Sequence, residues 1–435
     1  MAYTATTVVE VRAGGSDTNG GGFQPGGGGT DYPAAGTVFA LSGISVAGST
    51  VSCGSRAFAA ADVGNYLYTN DTLERTRIVS VDGGGTATVS PDLGGAADTA
   101  QLGGALGTLA GLATALSGAA AGVVVWVRGA SGAFSLSTPV TLPSLASTAR
   151  ALIIRGYGTV RGDRGRPVFN VPAGVNVGLS QQMIDLSAGV TLMGIDLRAS
   201  NDDPNQRHSG VRFNGANTEC REVVVTGGFR GFLGGLNESK MVGCKNLNNS
   251  VLLNPINHMV RIFDHECAGG LIQIDSYAGA GGSVIEIDGL VMYPTSGNQS
   301  VGLTINFGPP RLTIRHSSIF GTTGNGISAT AGAVVAASII VGSSGAGISF
   351  AGADGTSTNN AFYNNTGGAI TGTNVSLGDF TLTSDPFNAS AQGDLRLNNV
   401  AGGGKELREW AYGGRVNPNS GNFGPNGQIG AIRIC

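Results

Sequence analysis

The chain has 435 residues, of which 75 are glycine and only 12% are charged, and its formal net charge is −3. Glycine lies far above its average share of about 7%, but no Gly-X-Y period accompanies it, so a collagen-like triple helix is excluded. A hydrophobic content of 41% excludes a disordered chain. The slightly negative charge offers no basic surface for nucleic acid.

The N-terminal region divides into two segments. Residues 1–35 combine a strand-like run, TTVVEVR, with the glycine-rich stretch GGSDTNGGGFQPGGGG, and we predict an N-terminal arm there. Short β-prone runs separated by Gly, Asn and Asp turns follow, so residues 36–98 are predicted to form a small β-domain.

Leucines recur with helical spacing in the next segment, at positions 102, 106, 109, 112 and 116. This stripe predicts an amphipathic helix over residues 99–118, placed to cap a stack of strands. Residues 99–127 form a segment without any charged residue, and a segment of this length could cross a bilayer. Their glycines and the patterned leucines favour the capping helix, so no membrane span is predicted.

A repeat governs the second half of the chain. Ile327, Ile348 and Ile370 are 21 and 22 residues apart, and each ends a β-prone or polar run followed by a small-residue bend. Such a period, without helical spacing, is what one coil of a parallel β-solenoid needs. We predict a solenoid of about ten coils over residues 119–380, closed by a C-terminal cap over residues 381–435.

Three of the five cysteines follow a similar spacing. Cys220, Cys244 and Cys267 are 24 and 23 residues apart, which predicts that they stack on one face of neighbouring coils as buried, reduced thiols. No CxxC pair indicates zinc or redox chemistry. The four histidines lack metal-ligand spacing and the glycine runs lack a phosphate-loop pattern, so no metal or cofactor is predicted.

Three further runs carry a family resemblance: VVVWVRGASGAF, IRGYGTVRGDRGRP (154–167) and DPFNASAQGDLRLNN (385–399). They resemble the first and last coils of right-handed parallel β-helix proteins of the pectate-lyase-like superfamily. The resemblance implies an all-β fold, a right-handed parallel β-helix with a small N-terminal β-domain. The closing run GQIGAIR has Gln428 where that family commonly has an aspartate, so a role for that carboxylate does not carry over.

Two N-terminal runs, EVRAGGSDTNGGGF (10–23) and AFAAADVGNYLY (57–68), resemble leader segments of bacteriophage virion proteins. This resemblance implies a structural protein of a tailed phage: a tail fibre, tailspike or capsid decoration. It would form a homotrimer and attach to other virion proteins through its N-terminal domain. The first residues show neither the basic nor the apolar region of a signal peptide, so synthesis in the host cytoplasm is expected.

Two other functions stay open, because this superfamily also contains lyases and hydrolases. One is a tailspike-type depolymerase that cleaves a host-surface polysaccharide, and the other is a cell-surface adhesin. Glycoside hydrolysis uses two carboxyl groups roughly 5–9.5 Å apart. The candidate catalytic residues are therefore Asp202, Asp203 and His208 in the run NDDPNQRH, and Glu286 and Asp288 in VIEID.

The two residues in VIEID alternate along a predicted strand and so share one face. Arg315 and His316 are expected to align with one of these acidic groups on a neighbouring coil. Asp264, His265 and Glu266 form a third polar group. For each group the alternative is a surface charge that only keeps a strand soluble.

Aromatic residues are the candidate carbohydrate contacts, because sugars stack on exposed rings. The candidates are Tyr277, Tyr293, Trp410 and Tyr412. The alternative for each is packing in a core or an interface.

Overall fold

A computed structural model describes residues 3–95, 98–146, 148–173, 175, 182–199, 209–228, 230–234, 238–253, 259–275, 284–295, 302–307, 311–329, 332–390 and 394–407. The chain divides into two compact units. Unit 1 comprises residues 1–172 and 184–197, and unit 2 comprises residues 173–183 and 198–435.

The elements up to residue 199 are mostly short strands. They are β1 (Val8–Arg12), β2 (Gly22–Phe23), α1 (Tyr32–Ala35), β3 (Val38–Ser42), β4 (Ile44–Ala47), β5 (Thr50–Cys53), a 3-10 turn (Ala60–Asp62), β6 (Tyr66–Thr69), β7 (Arg75–Val81), β8 (Ala87–Ser90), β9 (Thr99–Gly103), α2 (Leu109–Ala115), β10 (Val123–Arg128), β11 (Phe134–Ser135), β12 (Val140–Leu142), β13 (Leu152–Tyr157), β14 (Val168–Val171), β15 (Gln182–Leu186), β16 (Val190–Met193) and β17 (Asp196–Ala199).

Seven of these strands form an antiparallel sheet in unit 1, in the order β3-β9-β6-β7-β8-β5-β4. Apolar residues on the inner face of these strands, among them Leu41, Val51, Leu67 and Ile78, share one buried core. Residues alternate across a strand, so each short β-prone run places its apolar members on that face. The prediction of a small N-terminal β-domain is confirmed.

The leucine stripe is split between a strand and a helix. Residues Thr99–Gly103 form β9, where Leu102 is buried in the sheet core, and the helix spans only Leu109–Ala115. Gly103 and Gly104 have φ angles of 72° and 71°, which a helix cannot include. The helix starts where the Thr108 hydroxyl accepts the Gly111 N–H at 2.9 Å. The predicted helix over 99–118 was therefore wrong in its extent.

The N-terminal segment adds a strand to a parallel ladder within unit 1. In unit 1, β1 pairs in parallel with β10, β10 with β13, and β13 with β16. The glycine run that follows β1 packs closely: a Cβ at Gly20 would lie 1.9 Å from the Tyr66 carbonyl oxygen, and one at Gly22 would lie 2.7 Å from the Tyr3 ring. Only glycine permits this approach of the chain to two buried tyrosines.

The elements after residue 199, all in unit 2, are also short strands. They are β18 (Ser209–Phe213), β19 (Glu219–Arg221), β20 (Val224–Thr226), β21 (Arg230–Gly234), β22 (Ser239–Val242), β23 (Lys245–Leu247), β24 (Ser250–Leu253), β25 (Met259–Phe263), β26 (Glu266–Ala268), β27 (Leu271–Asp275), β28 (Val284–Asp288), β29 (Val291–Tyr293), β30 (Gly302–Phe307), β31 (Arg311–Arg315), β32 (Ser318–Phe320), β33 (Ile327–Ala329), β34 (Ala333–Ala336), β35 (Ile339–Val341), β36 (Ile348–Thr358), β37 (Ala361–Tyr363), β38 (Ile370–Leu377), β39 (Phe380–Thr381), β40 (Phe387–Ala389) and β41 (Asp394–Leu397).

These strands stack in three parallel ladders. The first runs from β18 through β21, β24, β27, β30 and β33, the second from β19 through β22, β25, β28, β31 and β34, and the third from β20 to β39. The long strands β36 and β38 contribute to both the first and the second ladder. The described residues of unit 2 thus form eight coils, and the predicted parallel β-solenoid is confirmed.

A left-handed residue ends the strands of the second ladder at a tight corner. Glu222, Asp264, His316, Ala337 and Asn359 all have φ between 47° and 56°. Non-glycine residues adopt this conformation rarely, and Asn and Asp tolerate it better than most. The polypeptide turns there into the third strand of the coil, so one short corner recurs although the coils differ in length.

The cysteines do not share one column. The register pairs Cys220 with Met241 and Cys267 with Asn246, while Cys244 lies in the bend between β22 and β23. The predicted stack was wrong because coil lengths vary, so equal spacing does not preserve the position within a coil. All three are buried and none is in a disulfide.

The segment after β39 covers part of the third ladder. Leu382, Phe387, Leu395 and Leu407 form one buried cluster with Ile339 and with two other residues of that ladder, Val341 and Ala361. The described part of the predicted C-terminal cap thus packs on the side of the coils. No helix within the described ranges is long and apolar enough to cross a membrane.

Candidate functional site

Glu286 and Asp288 lie on the outer face of β28. The strand alternates, with Ile285 and Ile287 buried and the two acidic residues partly exposed. This follows from the period of two along a strand. The predicted placement of both carboxylates on one face is confirmed.

Arg315 binds both of these carboxylates from the next coil. Its Nη2 donates to Glu286 Oε1 at 2.7 Å and its Nε donates to Asp288 Oδ2 at 2.8 Å. The parallel register places Arg315 beside Asp288, so the guanidinium plane reaches both side chains. The predicted alignment of Arg315 with an acidic pair is confirmed.

Two more side chains complete this network. Arg261 on the preceding coil lies with its Nε 3.4 Å from Glu286 Oε2. On the other side, His316 Nδ1 is 2.8 Å from Asp288 Oδ1. A charged network therefore spans the three successive strands β25, β28 and β31 on one face of the solenoid.

The bonding of this network limits its chemistry. A glycoside hydrolase needs one carboxyl group to protonate the leaving group while the other attacks or activates water. Here the same guanidinium holds both carboxylates, so a sugar would first have to displace Arg315. The bonds of Arg315 link adjacent coils, and a partly exposed network of this kind adds modest stability while favouring one register.

The third polar group is divided between the interior and the surface. His265 is fully buried, and its Nε2 is 2.7 Å from Asn246 Oδ1. Burial lowers the pKa of His265 to about 4, so the imidazole is neutral near pH 7. Its neighbour Glu266 points outward, where its Oε1 accepts from Lys245 Nζ at 2.6 Å.

Tyr293 is held by this outer carboxylate. Its hydroxyl donates to Glu266 Oε1 at 2.5 Å, and its partly buried ring packs against the cluster under the C-terminal segment. Burial raises the pKa of Tyr293 well above its usual value. The ring is thus packed on at least one side by the protein itself.

The other sequence candidates lie outside the described residues: Asp202, Asp203, His208, Tyr277, Trp410 and Tyr412.

One fully buried carboxylate, that of Glu10, was not among the sequence candidates. Glu10 on β1 has no solvent exposure, and its Oε2 accepts from Arg161 Nε at 3.0 Å and Nη2 at 2.7 Å. Its Oε1 accepts from the Tyr157 hydroxyl and from Arg12. Arg161 also donates to Asp31 Oδ2 at 2.6 Å. The one available signal was a glutamate inside the apolar run TTVVEVR.

The loop that supplies Arg161 is itself held by an aspartate. Asp163 accepts backbone N–H groups of Thr159, Val160 and Gly165 at 2.8–3.0 Å, and also that of Gly158. These hydrogen bonds lower the pKa of Asp163 far below its usual range. The run IRGYGTVRGDRGRP therefore builds a rigid loop whose arginine reaches Glu10.

Comparisons with known proteins include a distant structural similarity. No family and no curated protein matches the sequence. Among solved structures, the fold is similar to the catalytic unit of a thermostable GH87 alpha-1,3-glucanase from Streptomyces thermodiastaticus strain HF3-3, at 12% identity and a TM-score of 0.34, covering 79% of this chain and 86% of that chain. At that level the similarity carries no argument about activity.

Metal binding finds no support in the described parts of the chain. Within those ranges, no group of three or more His, Cys, Asp or Glu side chains is arranged to hold a metal ion.

Proposed function

We propose that this chain is an architectural β-solenoid of a tailed-phage virion, working as a fibre, a spike or a capsid decoration rather than as an enzyme. One observation carries the proposal. The two carboxylates that share a face of the solenoid, Glu286 and Asp288, are both bound by Arg315 from the neighbouring coil. Their contacts hold coils together and leave no free acid–base pair at this place.

The interior of unit 2 supports a structural role. The second ladder stacks Ile262, Ile287, Ile314 and Val335 in direct register, and all four are fully buried. Close-packed aliphatic columns resist deformation, which suits a part that must keep its form outside the cell.

The virion assignment is supported by the two N-terminal runs that resemble phage leader segments. In unit 1 these runs touch, since the Gln24 N–H that directly follows the first run donates to the Gly64 carbonyl at 2.8 Å, and Phe23 bridges to Asn65. In the proposal, the N-terminal β-domain attaches to other virion proteins, and the solenoid forms a homotrimer that meets the host surface.

Two measurements test this function together. A cryo-EM map of the assembled particle should contain the chain with its N-terminal domain seated on the particle. The purified full chain, incubated with capsular and O-antigen polysaccharides, should release no new reducing ends and no unsaturated products.

Glycan cleavage that is lost in Glu286→Gln or Asp288→Asn would overturn the proposal in favour of a depolymerase. Asp394→Asn serves as the control, because Asp394 is paired with Arg396 on a different part of the chain. Absence of the chain from purified particles would overturn the virion assignment itself.

A further inference from the structure

The outward residues of the second ladder form two columns in direct register. The first contains Lys240, Arg261, Glu286, Thr313, Val334, Thr356 and Val375. The second contains Val242, Phe263, Asp288, Arg315, Ala336, Thr358 and Leu377. Each column changes character along the stack.

The last charged residue is Glu286 on β28 in the first column and Arg315 on β31 in the second. On β34, β36 and β38 the six outward positions are Val, Ala, Thr or Leu. Three of these six residues are exposed aliphatic residues: Val334 is 39% exposed, Val375 56% and Leu377 58%. An uncharged apolar strip thus follows directly after the charged network.

The first ladder is also uncharged on the outside of these coils. Its outward column on the same three coils consists of Ser328, Ser349 and Thr371, in direct register. On these coils both ladders therefore present only aliphatic and hydroxyl side chains in the three columns, and the core of a protein interface is likewise depleted of charge. We call the nine residues of these three columns the uncharged face.

We infer that the uncharged face is the contact between copies of this chain, packed in parallel with equal coils at equal height. The inference deepens the proposed function by naming the surface through which the shaft self-associates. It concerns the last three coils of the first two ladders and leaves the charged coils outside the contact.

Symmetry explains why a second copy fits this face. Residues nearest a rotation axis that runs along the stack meet their own counterparts. On the charged coils, Arg261 would meet Arg261 and Glu286 would meet Glu286, which is repulsive. A serine or threonine hydroxyl both donates and accepts, so it can pair with its own copy, and aliphatic side chains pack against themselves equally well.

A cysteine scan tests the contact and its register. In a Cys53→Ser/Cys435→Ser background, Val375→Cys should form a covalent dimer under mild oxidation, because the position faces its own copy. Val160→Cys is the matched control, since Val160 is 69% exposed but lies in unit 1. Equal yields at both positions would indicate random collision and would overturn the inference, as would no dimer at Val375.

A charge placed on the same face gives an independent measurement. Leu377→Glu should convert the oligomer to a monomer, as measured by light scattering. The monomer should still unfold cooperatively on heating, which would show that the substitution does not unfold the chain. Leu73→Glu, at a position 68% exposed, should leave the oligomer intact. A wild-type chain that is monomeric at micromolar concentration would sink the inference without affecting the test for glycan cleavage.

Discussion

The carboxylate of Glu10 accepts two hydrogen bonds from the guanidinium of Arg161, 151 residues away in the chain. Glu10 is completely buried, whereas Arg161 keeps about a quarter of its side chain exposed. The pair joins the first strand of unit 1 to the loop that follows β13. Removing one partner of a buried pair leaves the other without compensation, which makes this contact more sensitive than any surface ion pair.

We expect Arg161→Met to lower the free energy of unfolding of unit 1 by about 3 kcal/mol, because it leaves the Glu10 carboxylate buried with a weaker set of donors. Chemical denaturation followed by tryptophan fluorescence measures this, since Trp126 lies on β10 of the same unit. Arg396→Met removes a surface partner of Asp394 and should change nothing measurable. Equal losses of stability in the two variants would contradict the conclusion that Arg161 compensates the buried charge of Glu10.

His265 should make the solenoid sensitive to acid. Its pKa is about 4 in the folded chain and about 6.5 in the unfolded chain, so the unfolded state binds the proton first. The stability contributed by the neutral imidazole is complete above pH 6.5 and falls as the pH drops towards 4, by about 3 kcal/mol in total.

Urea denaturation between pH 4 and pH 7 measures this loss. His265→Gln can keep a hydrogen-bond donor near Asn246, and it should make the free energy of unfolding less dependent on pH between pH 4 and pH 7. His316→Gln retains His265 and should keep the wild-type acid response. A wild-type slope that survives in His265→Gln would show that other groups cause it.

The glycine run after β1 should tolerate no side chain at its tightest position. A Cβ at Gly20 would fall 1.9 Å from the Tyr66 carbonyl oxygen, so Gly20→Ala must shift backbone and should cost about 2–3 kcal/mol. Thermal unfolding and limited proteolysis of unit 1 would report it. Gly83→Ala, where a Cβ meets nothing within 4 Å, is the matched control and should behave as wild type.

The Arg315 network should stabilise the coils in a salt-dependent way. Arg315→Ala breaks contacts with both Glu286 and Asp288, and we expect a loss of about 0.5–1 kcal/mol at low ionic strength. The loss should shrink in high salt because exposed ion pairs are screened. Arg311→Ala, at an exposed position on the same strand, is the control. An equal loss of stability in that variant would show that the contacts of Arg315 with the two carboxylates do not stabilise the coils.

The buried thiols should be inert in the folded chain. Burial raises the pKa of Cys267 to about 12 and that of Cys220 well above its usual value, so neither forms a reactive thiolate near pH 7. In a Cys53→Ser/Cys435→Ser variant, a thiol reagent such as Ellman's should react only after denaturant is added. Rapid labelling of the native variant would mean that the solenoid opens in solution.

Spacing along the chain predicted those parts of the structure that repeat locally. Ile327, Ile348 and Ile370 stand in direct register on three successive coils, as their period required. Glu286 and Asp288 share a face for the same reason, since alternation along a strand needs no tertiary information. Arg315 could be placed near them because its coil follows theirs by one repeat.

Equal spacing misled where coils differ in length. Cys220 and Cys267 occupy different ladders, because insertions between strands change the position of a residue within its coil. Leu102 fitted a helical stripe but lies on β9, because the two left-handed glycines after it favour a strand that ends in a turn. Local periodicity cannot distinguish these cases.

The sequence alone therefore determined the β-solenoid, the period of the coils that carry Ile327, Ile348 and Ile370, and the face on which the strand carboxylates lie, because each depends on short-range alternation and period. Tertiary structure alone decided that Arg161 compensates Glu10, that Arg315 occupies both carboxylates, and that His265 is buried and neutral. These depend on which side chains meet across long separations and on how much water reaches them. The arrangement of coils in space sets both quantities, and the order of residues along the chain does not reveal them.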